Sequence, residues 1–333
     1  MYIIGINAFH GDSSACLLKN GVLVAAAEEE RFRRVKHWAG FPSESIKWCL
    51  SEEGINLEDI RFVAINQDKK ANLVRKIIFS FSKLFKLSML VDRYKNKNKR
   101  LEIKDHLSKA FPNSEFKGSI KYVEHHISHM SSAFHVSPFK KAVVLSVDGF
   151  GDFASSAWGL GVDTSIKLEN RIFFPHSLGI FYQALTQFLG FHNYGDEYKV
   201  MGLAPYGKPI FIDQMRKIVL LKNDGSFKLN LKYFRHHREK INYKWQDGQP
   251  NVGTLFSDEI TKLLGPARDK EEALTQFHKN IANSVQTIYE EALFNLLNKL
   301  HKKYSLDNIA IAGGCAMNSV ANGKILLKTP FKK

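Results

Sequence analysis

Two histidines four residues apart are the side chains of this sequence best suited to chemistry. His125 and His129 lie in EHHISHMSSAF, and Asp148 ends the apolar run VVLSVD. Four residues is about one helical turn, so both imidazoles project from the same helix face. Two imidazoles and a carboxylate can hold one transition-metal ion. We predict a metal site of His125, His129 and Asp148; the alternative is that the histidines are ordinary surface or capping residues.

Two glycine-containing turns have the composition of anion sites. HGDSSAC (residues 10–16) and DGFGDFASSA (residues 148–157) each follow a predicted strand and offer Gly, Asp and Ser. Exposed N–H groups and hydroxyls in such turns can surround a phosphate, although a plain hairpin uses the same residues. A third segment, AGGCAMNSVANG (residues 312–323), predicts a strand–Gly-Gly–helix junction where a flat ligand such as adenine can approach the backbone.

The predicted elements that position these residues occur in one order twice. In the first half the predicted strands are 2–7, 14–19, 22–28, 60–66 and 120–124, with a helix opening at Pro42-Ser43 and ending at Gly54. In the second half the predicted strands are 141–148, 155–161, 166–174 and 308–312, with helices at 177–189 and 270–303.

This order predicts an α/β fold of two related lobes with a cleft between them. The first lobe spans 1–140 and the second 141–333, with an insertion of short strands at about 190–270.

The composition limits the possible functions. The three cysteines are widely spaced, which argues against a disulfide framework and favours a cytoplasmic protein. No apolar run reaches the roughly 18 residues that span a bilayer. The formal net charge is +15, and residues 69–104 carry twelve Lys/Arg against two acids. That segment predicts a helix, in IIFSFSKLFKLSMLV, with a core-facing side and either a solvated basic face or a polyanion or lipid contact. It lacks an RNP-like motif, which argues against nucleic-acid reading.

Seven motifs resemble those of the NodU/CmcH-type O-carbamoyltransferases, and the match runs from residue 3 to residue 323. In chain order the motifs read GINAFHGDSSACLLKNG, EEERFRRVKH, HHISHMSSAF, DGFGD, SLGIFYQALTQFLGF, EYKVMGLAPYG and AGGCAMNSVANG. The main domain of this family is similar to the tRNA threonylcarbamoyl transferase. The resemblance therefore implies the ASKHA fold of actin, hexokinase and Hsp70, with two RNase H-like lobes, the second incomplete here.

The resemblance also implies a two-stage reaction. Carbamoyl phosphate and ATP give carbamoyladenylate, and the carbamoyl group then moves to a substrate hydroxyl with release of AMP. In this reading a divalent metal, Fe²⁺ first, binds His125, His129 and Asp148 and acts as a Lewis acid on the acyl phosphate. The remaining implied assignments are Asp12, Ser13, Gly149 and Gly151 for the phosphate, Gly313, Gly314 and Asn318 for the adenosine, and His10 and Lys36 for the carbamoyl or phosphate end. For Lys36 the alternative is a surface ion pair with Glu28, Glu29 or Glu30.

The sequence departs from the family pattern in two places. Gly11 is an insertion into the family's HDSS, and the sequence stops at Lys333 before a PAAGD-like turn and a YrdC-like domain that makes carbamoyladenylate. We therefore expect a fragment, a truncated product or one part of a split enzyme that needs a separate C-terminal portion. Two alternatives remain, namely threonylcarbamoyl transfer to tRNA and a non-catalytic nucleotide-binding remnant. The acceptor hydroxyl stays open among small molecules and glycans.

Overall fold

The computed structural model describes residues 1–81, 102–239, 241, 243–244 and 248–333, the side chains of 243–244 excepted. Most of the predicted basic helix and its sequence neighbours, residues 82–101, lie outside the described residues. Within the described parts of the chain, no helix is long and apolar enough to cross a membrane.

The first sheet has five strands in the order β3-β2-β1-β4-β5. β1 and β2 are antiparallel, as are β2 and β3, whereas β4 runs parallel to β1 and β5 runs parallel to β4. Its strands are β1 (Tyr2–Asn7), β2 (Ser14–Lys19), β3 (Val22–Glu28), β4 (Ile60–Ile65) and β5 (Ser119–Tyr122).

The second sheet repeats the first four positions in the order β13-β6-β7-β8. β6, β7 and β8 form an antiparallel meander, and β13 lies parallel to β6, as β4 lies parallel to β1. Its strands are β6 (Lys141–Gly151), β7 (Ala154–Val162), β8 (Ser165–Phe173) and β13 (Ile309–Ala312). The predicted α/β class with two RNase H-like sheets is confirmed by this shared strand order and direction.

The remaining strands are short and lie outside these two sheets, and the helices lie between the strands along the chain. The short strands are β9 (Val219–Leu221), β10 (Phe227–Leu229), β11 (Tyr243–Lys244) and β12 (Asn251–Val252). The helices are α1 (Glu30–Arg33), α2 (Ser43–Glu53), α3 (Leu73–Phe81), α4 (Ile103–Ala110), α5 (His125–Phe134), α6 (Leu178–Phe188), α7 (Glu197–Leu203), α8 (Ile212–Ile218), α9 (Asp258–Leu264), α10 (Gln276–Tyr304), α11 (Ser319–Asn322) and α12 (Ile325–Lys328).

Turn chemistry in the sequence fixes several of these boundaries. Asn20 and Gly21 have φ of 53° and 86°, which is the two-residue hairpin turn that Asn-Gly favours between β2 and β3. Gly54 ends α2 in the left-handed conformation at φ 61°. Thr275 and His278 form a capping box that starts α10 at Gln276, and the predicted start near residue 270 was therefore too early.

The chain divides into two compact units, whose borders differ from the predicted lobes. Of the described residues, the first unit holds 1–69, 102–124, 243–244 and 248–253, and the second holds 70–81, 125–239, 241 and 254–333. The border falls between residues 124 and 125 rather than after 140, because α5 packs against β6 and β13 of the second sheet. The predicted insertion contains β9 to β12 as short strands, together with α7, α8 and α9.

Helix α3 corrects part of the basic-helix prediction. Five of its large apolar side chains face solvent, with exposed fractions from 48% at Leu73 to 87% at Phe81. Phe79 and Arg75 lie on the opposite side, where Phe79 packs edge-on against Phe153 and Arg75 lies 4.8 Å from the Phe173 ring centroid. The apolar side of the described part is therefore not core-facing.

A buried histidine gives the second unit a predicted sensitivity to acid. Burial lowers the pKa of His236 to about 4, although its Nε2 lies 2.8 Å from the carbonyl oxygen of Pro175. The unfolded chain binds a proton near pH 6.5, so stability falls as the pH drops from 6.5 towards 4. At pH 5 this one group lowers the free energy of unfolding by about 2 kcal/mol.

Urea unfolding at pH 7 and pH 5 measures this effect. His236→Phe, at a position surrounded by the rings of Phe150, Phe174 and Phe234, should reduce the loss between the two pH values by about 2 kcal/mol. The matched control is His135→Phe, the same substitution at an exposed position. An equal loss in wild type and His236→Phe would contradict the prediction.

Candidate functional site

The structure brings His125, His129 and Asp148 together in the second unit. His125 Nε2 lies 2.8 Å from Asp148 Oδ2 and 3.0 Å from His129 Nε2. His129 Nε2 lies 3.3 Å from the same Asp148 oxygen. One ligand atom from each residue falls within 4.8 Å of the others. The three side chains thus converge on one point, as the spacing predicts.

Helix α5 presents two neighbouring faces, one for packing and one for the site. His126, Met130 and Phe134 recur every four residues and are buried. His126 Nδ1 lies 2.8 Å from Ser146 Oγ on β6. Burial lowers the pKa of His126 to about 4, against a smaller opposing effect of a backbone hydrogen bond at Ala154, so its ring stays neutral and anchors the helix. The adjacent face, one residue earlier, carries the two candidate ligands.

The end of β6 explains the position of Asp148. Val147 pairs with Ser156 and Gly151 pairs with Ala154, so three residues of β6 (148–150) lie opposite one residue of β7 and the register shifts between the two pairs. This irregularity takes Asp148 out of the ladder towards α5. Asp152 and Phe153 then turn the chain with φ of 46° and 72°. The predicted phosphate turn is therefore a two-residue hairpin with a bulged entry.

Asp152 also holds the start of α5. Its Oδ2 accepts a hydrogen bond from the His125 backbone N–H at 2.9 Å, and its carbonyl oxygen accepts one from Asn72 Nδ2 at 2.8 Å. A carboxylate at this position satisfies a free N–H and complements the helix dipole. Asp152 thus fixes the backbone of the first candidate ligand.

Glycines on both sides of Asp148 allow the close approach. A Cβ at Gly151 would lie 2.0 Å from Cγ and Cδ2 of His125, so only glycine leaves room for this imidazole. Gly313 has φ 97°, and a Cβ there would lie 2.4 Å from the Val147 carbonyl oxygen. That conformation directs the Gly314 N–H to Asp148 Oδ1, at 3.1 Å. The Gly-Gly turn therefore supports the carboxylate.

The charge of Asp148 follows from its surroundings. Burial by itself raises the pKa of this carboxyl, but hydrogen bonds from His125 and His129 outweigh burial and hold the pKa well below its usual range. The ionised carboxylate and the two imidazoles form a donor set of two nitrogens and one oxygen, which suits a divalent transition metal.

The first-unit loop places its predicted residues differently. Ser13 is fully buried, and its hydroxyl lies 3.0 and 2.9 Å from the carbonyl oxygens of His10 and Gly40, which share its one proton, while it accepts from the Gly40 N–H. Asp12 lies in the left-handed region, and its Oδ1 is 2.7 Å from His37 Nδ1. This hydrogen bond raises the pKa of His37. The phosphate roles of Asp12 and Ser13 stay predictions, and Ser13 already has a structural role.

The glutamates near Lys36 have other described partners. Buried Glu29 accepts hydrogen bonds from Arg33 Nε and from the Glu44 and Ser45 N–H groups, which caps the start of α2. Glu30 Oε2 accepts the His37 N–H at 2.8 Å. Lys36 is exposed and His10 is half-buried, both in the first unit. Their catalytic assignment stays a prediction.

Asn318 is engaged within the second unit. Its side chain exchanges two hydrogen bonds with Gln286 of α10, at 2.9 and 3.0 Å, and its oxygen accepts the Ala321 N–H that starts α11. Gly149 leaves open space, because a Cβ built there meets no atom of the described residues within 4 Å. Contacts of Asn318 and Gly149 with a nucleotide stay predictions.

Sequence reasoning missed three residues that shape these sites. They are Asp152, which caps α5, His126, which anchors it, and His37, which pairs with Asp12. The signals were present in the His125-His126 doublet and in the Lys36-His37 pair. Both pairs combine a predicted functional residue with a neighbour whose role depends on the fold.

Fold and site together define a protein of two related α/β sheets with a candidate divalent-metal centre beside a Gly-Gly turn. The chain belongs to the family described as carbamoyltransferase N-terminus, whose family model matches residues 2–333. The predicted family resemblance is thereby confirmed.

Two relatives match nearly the whole chain. An uncharacterised protein of Synechocystis is 37% identical over 99% of this chain and 53% of its own length. The nodulation protein NolNO of Sinorhizobium fredii is 31% identical over 98% of this chain and 44% of its own length. The chain therefore spans about half the length of these relatives.

A solved structure similar to the chain is component A of (R)-2-hydroxyglutaryl-CoA dehydratase from Acidaminococcus fermentans. It is 11% identical with a TM-score of 0.43, and the match covers 100% of this chain and 91% of that one. At a TM-score below 0.5, this similarity has no bearing on function.

A pair of glycine substitutions tests the candidate metal centre. Gly151→Ala places a methyl group against the His125 ring and should weaken binding of Co²⁺ about 10- to 100-fold, because the ring must turn away. Gly149→Ala, two residues away in open space, is the matched control and should bind as wild type does. Isothermal titration measures affinity, and circular dichroism checks folding. Equal affinities for both variants would exclude the arrangement.

Proposed function

We propose that this chain carries the metal- and nucleotide-binding part of an O-carbamoyltransferase. The observation that supports it most directly is the convergence of His125, His129 and Asp148 beside the Gly313-Gly314 turn in a chain of the carbamoyltransferase family. The relatives are about twice as long as this chain. We therefore propose the complete reaction for the longer protein and assign this chain only a part of it.

The residues present fit a divalent metal. Three ligand atoms from two elements converge, the carboxylate is ionised, and Gly151 makes the space that the His125 ring occupies. We propose a transition metal there, with iron as the first candidate. When bound, the metal would supply Lewis-acid polarisation of an acyl phosphate. His125, His129 and Asp148 would hold it, while Asp152 and His126 keep α5 in place.

The nucleotide would bind next to this centre in the second unit. Gly149 offers open space at the irregular end of β6, and Gly314 is exposed at the Gly-Gly turn. Such backbone without side chains lets a phosphate or a flat base approach closely. The proposed substrate is carbamoyladenylate, made from carbamoyl phosphate and ATP.

The proposed transfer moves one acyl group. The acceptor oxygen forms a bond to the carbamoyl carbon, and the bond between that carbon and the adenylate oxygen breaks. AMP leaves with the electron pair, and the acceptor proton passes to water or to a basic side chain. The acceptor is a hydroxyl of a small molecule or a glycan.

Release of AMP from ATP and carbamoyl phosphate tests the proposal. The 333-residue chain alone should release none, because we propose that adenylation takes place in the part of the relatives that this chain does not span. Addition of the separately expressed part of the Synechocystis relative that this chain does not span should produce carbamoyl-dependent AMP, with water taking the carbamoyl group when no hydroxyl substrate is present. His129→Ala should abolish this AMP, because it removes a metal ligand. Ser132→Ala on the exposed side of the same helix is the matched control and should retain it.

Two outcomes would contradict the proposal. Carbamoyl-dependent AMP from the isolated chain would mean that adenylation resides in these 333 residues. Full activity in His129→Ala would show that the metal centre takes no part in the reaction. Retention of the chain on an ATP-agarose column measures nucleotide binding without turnover.

A further inference from the structure

A second set of metal-ligating side chains lies in the first unit. Asp12, Glu30 and His37 each offer one ligand atom, and these atoms lie within 4.8 Å of one another. We propose that they bind a second divalent cation, separate from the centre on α5. This site goes beyond the proposed transfer and does not depend on it.

Backbone hydrogen bonds hold the three ligands in place. The Ser13 N–H donates to the Trp38 carbonyl oxygen at 2.9 Å, which fastens the residue after Asp12 to the residue after His37. The Glu29 N–H donates to the Ser13 carbonyl oxygen at 2.8 Å, which places the start of α1 beside the same loop. Asp12 and His37 both adopt left-handed backbone conformations, with φ of 61° and 54°. The fold thus joins three segments that are separate in sequence.

The distances suit a shared cation. Two atoms that are each about 2.1 Å from a metal lie at most about 4.2 Å apart, so ligand atoms that lie within 4.8 Å of one another are too far apart by at most about 0.6 Å. One imidazole nitrogen and two carboxylates form a donor set for Mn²⁺, Fe²⁺ or Zn²⁺. The Asp12 side chain is 45% exposed, which leaves an entry path and open positions for water.

The competing explanation is an ion pair between His37 and Asp12 alone. Such a pair needs only one carboxylate, yet a carboxylate oxygen of Glu30, whose Oε2 accepts the His37 backbone N–H at 2.8 Å, also lies within 4.8 Å of the ligand atoms of Asp12 and His37. Two carboxylates and one imidazole leave a net negative charge even when His37 is protonated. A divalent cation neutralises that charge at the point where the ligand atoms meet.

A bound cation would also make the predicted contact between Asp12 and a phosphate electrostatically favourable. A carboxylate beside a phosphate is repulsive, whereas a cation between the two anions attracts both. This role alone rests on the proposed function, and binding of the cation does not.

Mn²⁺ titration of the 333-residue chain tests the proposal by stoichiometry. Electron paramagnetic resonance of free Mn²⁺ should show two ions bound per wild-type chain at up to about 1 mM. The double variant His125→Ala/His129→Ala should bind one ion. Addition of Asp12→Asn and Glu30→Gln to that background should abolish binding; Glu30→Gln keeps an oxygen that accepts the His37 N–H. Asp213→Asn, at a side chain 89% exposed, is the matched control for loss of one surface carboxylate.

The outcomes separate the two sites. If the wild-type chain binds one ion and His125→Ala/His129→Ala binds none, the second site is overturned and the α5 centre is retained. If the wild-type chain binds one ion and Asp12→Asn/Glu30→Gln binds none, the second site is supported and the α5 centre is contradicted. If the combined variant does not fold by circular dichroism, Glu30→Gln alone decides, because it should weaken one of the two ions at least tenfold, and unchanged binding of both would overturn the proposal.

Discussion

The contact between the His125 imidazole and the Asp148 carboxylate is the constraint on which the second unit depends. It requires a helix and a strand end to bring His125 Nε2 within 2.8 Å of Asp148 Oδ2, although burial disfavours an isolated carboxylate. The irregular end of β6, the missing Cβ of Gly151 and the cap from Asp152 all serve this approach. The conformation of Gly313 directs the Gly314 N–H to Asp148 Oδ1, so both oxygens of the carboxylate accept hydrogen bonds.

The two sheets use one strand order for different local purposes. The connection from β1 to β2 is a loop whose buried Ser13 binds backbone groups, whereas β6 and β7 meet in a two-residue turn. Both connections nevertheless bring acidic side chains to the same end of the first two strands. The repeated topology fixes where a site can form, and the length of the connection decides which groups it contains.

Much of this arrangement follows from local sequence rules. The first three strands match their predicted limits, and Asn20-Gly21 fixes the hairpin between the second and third without tertiary information. The spacing of His125 and His129 predicted a shared helix face for the same reason. Ser13 and Asn318 show the limit, since their polar atoms bind partners distant in sequence, such as Gly40 and Gln286. The exposed face of α3 shows another, because helical periodicity identifies an apolar face and not what covers it.

That apolar face of α3 has a practical consequence for handling the chain. Five large side chains, Leu73, Val74, Ile77, Ile78 and Phe81, form a continuous patch on one side of a nine-residue helix. Patches of this kind promote self-association in concentrated solution, and salt that screens the positive net charge would weaken the repulsion opposing it. Low ionic strength and dilute samples are therefore the conditions in which the 333-residue chain should remain monodisperse.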